Sequence, residues 1–573
     1  MPELTTEKQR LLDTDGHILV LGGPGSGKTY IALLKADREI RAGKLLRGQR
    51  ILFLSVARAT IARVAQQAGK LITGSERECL EINTYHGFAW NLLRSHGYLL
   101  NSGNPIRLLP PPEAASRLAE IDGNDARTSE KRRLFQDEGL LHFDLFADFC
   151  SELLLKSKAL ARIVGDAYPI VILDEFQDTN SDEWQMIQAL GERSRLIALA
   201  DAEQRIYEFR GADPKRIGEF ITAYQPAQFD FGSENNRSNG TDITVFGNDL
   251  LTEANKAKNY NDVVLTRYGF YRGRSAHYAM KGALIQAINR LKPGLGGWSV
   301  AVLVPTKRLM LQVSDYLSDD ADGLPSLNHD VALDTEAPAL AAVLIAGVLE
   351  GGATPAESAQ RLIVDLCTHI RGRKGNNPPN QAELGIAGAL GGYLRSGAVR
   401  GKKREQIVQE SIRVAEERHR LDLSGDPWED WLAVRRLLAG SDADVLRQIA
   451  EDAKYLRLLH KGATLRSRLG ELWRTSAGYR GAASAVRDAL LQEHFSASTM
   501  EWRGVHVMTI HKSKGKEFDE VIVYEGRHQG RIVRANASDR DIAQARLALR
   551  VAVTRARKRA SILTPKNDVC RFL

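Results

Sequence analysis

An α/β fold built on parallel sheets is predicted by three features of the sequence. Short apolar runs, among them Ile51–Ser55, Val171–Leu173 and Arg195–Ala200, alternate with stretches of helical period. Apolar runs without strict alternation suit strands buried on both faces, as in a parallel sheet covered by helices. Acids follow at the strand tips, most clearly in Val171–Asn180, VILDEFQDTN, and functional groups of such sheets gather at the carboxyl ends of the strands. With 573 residues the chain exceeds one core, so several domains are expected.

Composition narrows the class. Hydrophobic content of 43% and charged content of 26% are those of a globular protein. A net charge of +8 suits a polyanionic partner without requiring one. Cys79, Cys150, Cys367 and Cys570 lie far apart, which argues against a zinc cluster or disulfide framework and for a reducing cytoplasm. The first residues, Met1 to Lys8, lack the apolar stretch of a signal peptide. The longest apolar run, Ala339–Leu349, is too short to span a bilayer, so no membrane is expected.

In chain order, Leu4–Asp13 reads as a capped helix and His17–Leu21 as a strand. Gly22-Gly23-Pro24-Gly25-Ser26-Gly27-Lys28-Thr29 then fits G-x-x-x-x-G-K-[ST] between a strand and a helix, Thr29–Ala42. Its backbone N–H groups can cradle phosphate, Lys28 can reach the terminal phosphates, and Thr29 can ligate magnesium. Asp174 can reach the same ion, and Glu175 can accept a proton from an attacking water. Further strands are read at Cys79–Thr84, Ala227–Phe231, Trp298–Val304, Val505–Ile510, Glu520–Tyr524 and Ala560–Leu563, with helices at Ala59–Ala68, Thr306–Leu317 and Asp541–Val553. Proline-rich and charged residues from about Ser95 to Gly165 read as a small helical insertion, and residues from about Gly351 to His494 are largely helical in pattern. Two basic loops, Arg371–Lys374 and Arg400–Arg404, read first as solvated helix ends and second as a nucleic-acid surface. Tyr207, Phe209 and Arg210 after a strand tip combine base-stacking rings with a phosphate-pairing cation, although core packing explains each ring alone.

The chain resembles the UvrD/Rep/PcrA group of superfamily 1 DNA helicases. GGPGSGKT, LDEFQDTN, LADAEQRIYEFRGA, ENNRS, MTIHKSKGKEF and VAVTRA follow one another in the family's order. The resemblance implies two RecA-like P-loop motor domains, each with a helical insertion. The first comprises residues 1–94 and 166–226 with an insertion at 95–165; the second comprises 227–350 and 495–573 with an insertion at 351–494. It further implies magnesium with ATP as substrate, 3′ to 5′ movement on single-stranded DNA, 3′-tailed duplex as a further substrate, and a protein partner. Repair, replication restart and phage defence are the settings of such motors. A DNA-stimulated ATPase that switches a partner without unwinding is the alternative, and a catalytically silent DNA-binding scaffold is a third.

Residue by residue, the resemblance makes Gln9 the adenine reader, and Gly22 to Thr29 the phosphate and magnesium loop. Asp174 is similar to the metal-associated acid, Glu175 to the general base and Gln204 to the residue coupled to the γ-phosphate. Arg237 and Arg555 match the arginines that reach the terminal phosphate, and Glu517 the acid near the ribose. Ser55, Thr84, Tyr85, His86, Tyr207, Phe209, Arg210 and His511 are the expected DNA contacts. Departures accompany the matches. Asn236 stands where the family has a stacking Tyr; Gln544 and Ala545 replace an acidic pair; Arg550 replaces a Tyr; Lys516 replaces an apolar residue. Tyr30 stands where relatives place an Arg against adenine, and it is expected to supply the ring that Asn236 lacks. Tyr30→Ala should raise the Michaelis constant for ATP several-fold; an unchanged constant in steady-state kinetics would remove Tyr30 from the base pocket.

Overall fold

The computed structural model describes residues 5–23, 25–56, 58–72, 74–101, 103–201, 215–232, 240–269, 272–292, 297–331, 336–375, 379–454, 463–495, 502–527, 530–533 and 537–573. Its strands are β1 (Ile18–Leu21), β2 (Ile51–Ser55), β3 (Leu80–Thr84), β4 (Arg107–Leu109), β5 (Leu140–His142), β6 (Ile170–Leu173) and β7 (Arg195–Ala200). They continue with β8 (Ala227–Asp230), β9 (Val263–Tyr268), β10 (Ser299–Val304), β11 (Asp330–Val331), β12 (Gly504–Thr509), β13 (Phe518–Tyr524) and β14 (Ala556–Pro565). The chain divides into two compact units.

One unit contains Met1–Leu93, Ala147–Ala332 and Ala497–Leu573. It holds two six-stranded sheets, ordered β3-β2-β6-β7-β1-β8 and β11-β12-β10-β13-β14-β9, with parallel pairing throughout. The residues of β2, β6 and β10 are all buried, as the unalternated apolar runs required. Ile18, Val20, Phe53, Ile172 and Leu199 share the first core with the helix Lys28–Arg41. Leu303, Val523 and Ile562 share the second with the helices Ile243–Thr252 and Asp539–Val553. Strands β9 and β11 escaped the sequence reading. The middle of β9 is exposed, as befits the edge it occupies, and β11 has only two residues.

The other unit contains Arg94–Phe146 and Leu333–Ser496. Its centre is the helix Glu336–Glu350, where Ala341 to Ala346, Val348 and Leu349 are all buried. A helix apolar on all sides needs neighbours all round, and it packs against the helices Pro355–Gly372, Pro427–Ala439, Asp444–Lys454 and Ala482–Phe495. Among the described residues no helix is long and apolar enough to cross a membrane.

Two expectations for residues 95–165 change. Chain from Ala147 onward belongs to the sheet-bearing unit, and the remainder includes a two-stranded parallel sheet, β4 with β5. Buried Leu109 and Leu141 anchor that pair. Gly139 permits it: its φ is +68°, and a Cβ there would lie 2.4 Å from the Pro105 carbonyl oxygen. Both insertions also contribute to one unit instead of two separate ones. Within it Arg487 pairs with Glu113 at 2.7 Å and Arg371 with Glu120 at 2.7 Å.

Candidate active site

The phosphate-binding loop follows β1 and ends at Gly27, which caps the helix Lys28–Arg41 with φ +88° and no side-chain hydrogen bond. Such an uncapped start leaves backbone N–H groups for an anion. Gly23 N donates to Gly232 O at 2.8 Å, tying the loop to the tip of β8. Lys28 Nζ donates to the carbonyls of Gly22 at 2.6 Å and Gly23 at 3.1 Å, folded back along the loop. Pro24 lies outside the described residues.

Asp174 and Glu175 stand at the tip of β6. Thr29 Oγ1 donates to Asp174 Oδ1 at 3.4 Å and Ser55 Oγ to Asp174 Oδ2 at 3.1 Å. These hard oxygen donors fit magnesium, which takes few protein ligands and fills its shell with water and phosphate oxygens. Among the described residues no group of three His, Cys, Asp or Glu side chains could hold a metal by itself; Thr29 and Asp174 are the residues that would hold one here.

Glu175 adopts the left-handed conformation, φ 52° and ψ 38°, which costs a side-chain-bearing residue about 1–3 kcal/mol. The turn is held by Asp178 N donating to Glu175 O at 2.9 Å, and by the Asn180–Glu183 capping box of the next helix. Gln177 Nε2 donates to Glu175 Oε2 at 2.6 Å, while Asp201 N donates to Gln177 Oε1 at 2.9 Å.

The electrostatics separate the neighbouring carboxyls. Burial, then the charge of Glu175, raises the pKa of Asp174. Burial also acts on Glu175, but Lys514, Lys28, the Gln177 amide and Arg555 together outweigh it and hold Glu175 low. Lys28 comes from the first sheet, whereas Lys514 and Arg555 come from the second. Lys514 makes a buried ion pair with Asp178. Burial pushes Asp178 up, against the pull of Lys514. Arg63 reaches across in the other direction to Glu517, which also accepts from Arg557 at 3.3 Å.

The structure thus brings together Lys28, Thr29, Asp174, Glu175 and Arg555, the last buried with Nε donating to Val551 O at 3.0 Å. Gln9 is exposed, with its amide 3.5 Å from Asp13 Oδ2, and Tyr30 is half-buried. Gln204, Tyr207, Phe209, Arg210 and Arg237 lie outside the described residues, as does Asn236. Two of the expected DNA contacts are buried: Ser55 is fully buried with its hydroxyl donating to Asp174, and Tyr85 is 1% exposed. Thr84 Oγ1 accepts from Gly87 N at 2.9 Å; His86 is half-buried, 3.7 Å from Glu183; His511 is also partly buried. Glu517 is spent on two arginines. The sequence reading missed Gln177, Lys514 and Arg63, although Gln177 and Lys514 stand inside the motifs it quoted.

Fold and site define a protein of RecA-like P-loop architecture. The UvrD/REP helicase N-terminal domain matches residues 4–139 and 130–225, and the UvrD-like helicase C-terminal domain matches 460–566. The chain belongs to the UvrD/Rep/PcrA-type helicase family. It is 24% identical over 281 residues to DNA helicase II of Escherichia coli, covering 42% of this chain and 39% of that protein. It is 21% identical over 303 residues to ATP-dependent DNA helicase PcrA of Staphylococcus aureus, covering 44% and 40%. The chain therefore spans about two fifths of these relatives in the matched stretches.

Asp178→Ala breaks a buried pair at one partner, which should cost about 3–5 kcal/mol. Adding Lys514→Met should recover most of that loss in urea unfolding. No recovery in the double variant would show that the pair is not what the interface loses.

Proposed function

We propose that the protein is an ATP-dependent DNA translocase and helicase that moves 3′ to 5′ on single-stranded DNA. The observation that carries this reading is the setting of Glu175, an ionised carboxylate at a strand tip, held by cations from both sheets. Phosphoryl transfer to water needs an oriented nucleophile and fixed positive charge, with little covalent chemistry. Glu175 orients the water and takes its proton. Lys28 leaves its carbonyl partners for the terminal phosphate, and the Gly25–Thr29 backbone holds the remaining oxygens. Magnesium, when bound at Thr29 and Asp174, supplies charge neutralisation across the phosphates. Arg555 arrives from the second sheet, so the site is complete only when both sheets meet. Loss of the terminal phosphate removes the charge that draws them together, and this alternation is the source of stepping along DNA. The relatives' names, DNA helicase II and PcrA, support the same reading. Repair, replication restart or defence would employ such a motor in the cytoplasm, together with a protein partner.

A second reading, a DNA-stimulated ATPase that switches a partner without unwinding, is favoured by Gln544, Ala545 and Arg550, which replace expected residues on the helix Asp539–Val553. Strand separation on a 3′-tailed duplex divides the two.

Steady-state ATP hydrolysis should rise at least tenfold with single-stranded DNA. Glu175→Gln should lower turnover by about 100-fold or more while leaving ATP binding within a few-fold, because the carboxylate acts chiefly on the transition state. Full turnover in Glu175→Gln would exclude its role as base.

A further inference from the structure

Arg550 is 2% exposed, on the helix Asp539–Val553. Its Nη2 donates to Asn248 Oδ1 at 3.0 Å, which anchors it to the helix Ile243–Thr252. Its Nη1 lies 3.9 Å from Asp201 Oδ1, at the tip of β7. Among the described residues neither Nε nor Nη1 has a hydrogen-bond partner. A buried guanidinium is costly unless its donors are met, and 3.9 Å is beyond a hydrogen bond. Of the two neighbouring arginines on this helix, Arg546 is engaged by Glu253 and the Leu251 carbonyl, and Arg550 is the one that faces Asp201.

Asp201 is not an isolated acid. Its N–H donates to Gln177 Oε1 at 2.9 Å, and Gln177 Nε2 donates to Glu175 Oε2 at 2.6 Å. Gln177 is 1% exposed and Asp201 3%. A chain of contacts, buried at Gln177, Asp201 and Arg550, therefore runs from Glu175 to Asn248, with the 3.9 Å Asp201–Arg550 approach as its one step longer than a hydrogen bond. Beside it opens a cavity of about 980 Å³ whose walls include Gly22 and Gly23 of the phosphate loop together with Asp201, Asn248 and Arg550.

We propose that Arg550 is a positioning residue, reaching from the second sheet's helix to fix the β7 tip and, through Gln177, the orientation of Glu175. The inference rests on the proposed ATPase. A shift of about 1 Å would turn the Arg550–Asp201 approach into a charge-assisted hydrogen bond. Approach of the helix Asp539–Val553 to the phosphate loop makes that shift and locks the Gln177 amide in place. The device is particular to this chain, because the resemblance puts a Tyr at this position, which carries no positive charge.

The test measures ATP turnover, the Michaelis constant and thermal unfolding for wild type, Arg550→Met, Asp201→Asn, their combination and Asn248→Ala. Arg550→Met should lower kcat at least tenfold with the Michaelis constant within about twofold and the melting temperature nearly unchanged. The combined variant should lose no more than the worse single one, since both act on one link. Asn248→Ala, a milder change, should lower kcat several-fold with the same constancy of the Michaelis constant, and it carries the test if Arg550→Met does not fold. Retained kcat, multiplying losses, or a kcat loss that tracks a fall in melting temperature would overturn the inference. Absence of turnover in wild type would instead overturn the proposed function.

Discussion

The structure depends on keeping three clustered carboxyls, Asp174, Glu175 and Asp178, within five residues of one another. Asp174 and Asp178 are at most 5% exposed and Glu175 is half-buried between them, and like charges so close cannot all ionise in a low-dielectric setting without opposing cations. The first sheet supplies Lys28, and the second supplies Lys514 and Arg555. Electrostatics thus bind the two sheets at the place where chemistry is proposed. The Lys514–Asp178 and Arg63–Glu517 pairs cross in opposite directions, the first of them fully buried, so each sheet lends a cation to a carboxylate of the other.

This arrangement connects packing to function. Parallel sheets place their functional groups at the strand tips, where helix starts and loops can be remodelled while the core stays fixed. The strain at Glu175 is tolerated because β6 is buried along its whole length and the following helix is closed at its start by the reciprocal Asn180–Glu183 capping box. Gln177 turns that local strain into a longer-range dependence, since its two ends reach Glu175 and the backbone of Asp201.

Much of the fold was legible because buried parallel strands leave uninterrupted apolar runs. Strands β2 and β7 fall on the residues that the pattern marked, and the helix after the phosphate loop is displaced by a single residue. The two-stranded sheet at 107–109 and 140–142 left no such trace, being short and closed by Gly139 across a distant segment. Glycine-loop and acid motifs exposed Lys28, Thr29, Asp174 and Glu175, because their chemistry dictates both residue type and spacing. Lys514, Arg63 and Gln177 were harder to find. Their partners are distant in sequence, and a lysine or glutamine within a motif does not announce which carboxylate it meets. Burial was equally silent: Ser55 and Tyr85 follow strands as ligand contacts do, yet both turn inward.

The central claim is that the hydrolytic site belongs to both sheets. ATP hydrolysis by Lys514→Met, measured at saturating ATP and single-stranded DNA, tests it most directly. Loss of this one of the second sheet's two cations should lower kcat at least tenfold while the Michaelis constant for ATP stays within about twofold, because the P-loop is untouched. A kcat equal to that of the unmodified protein would contradict the account and confine the chemistry to the first sheet.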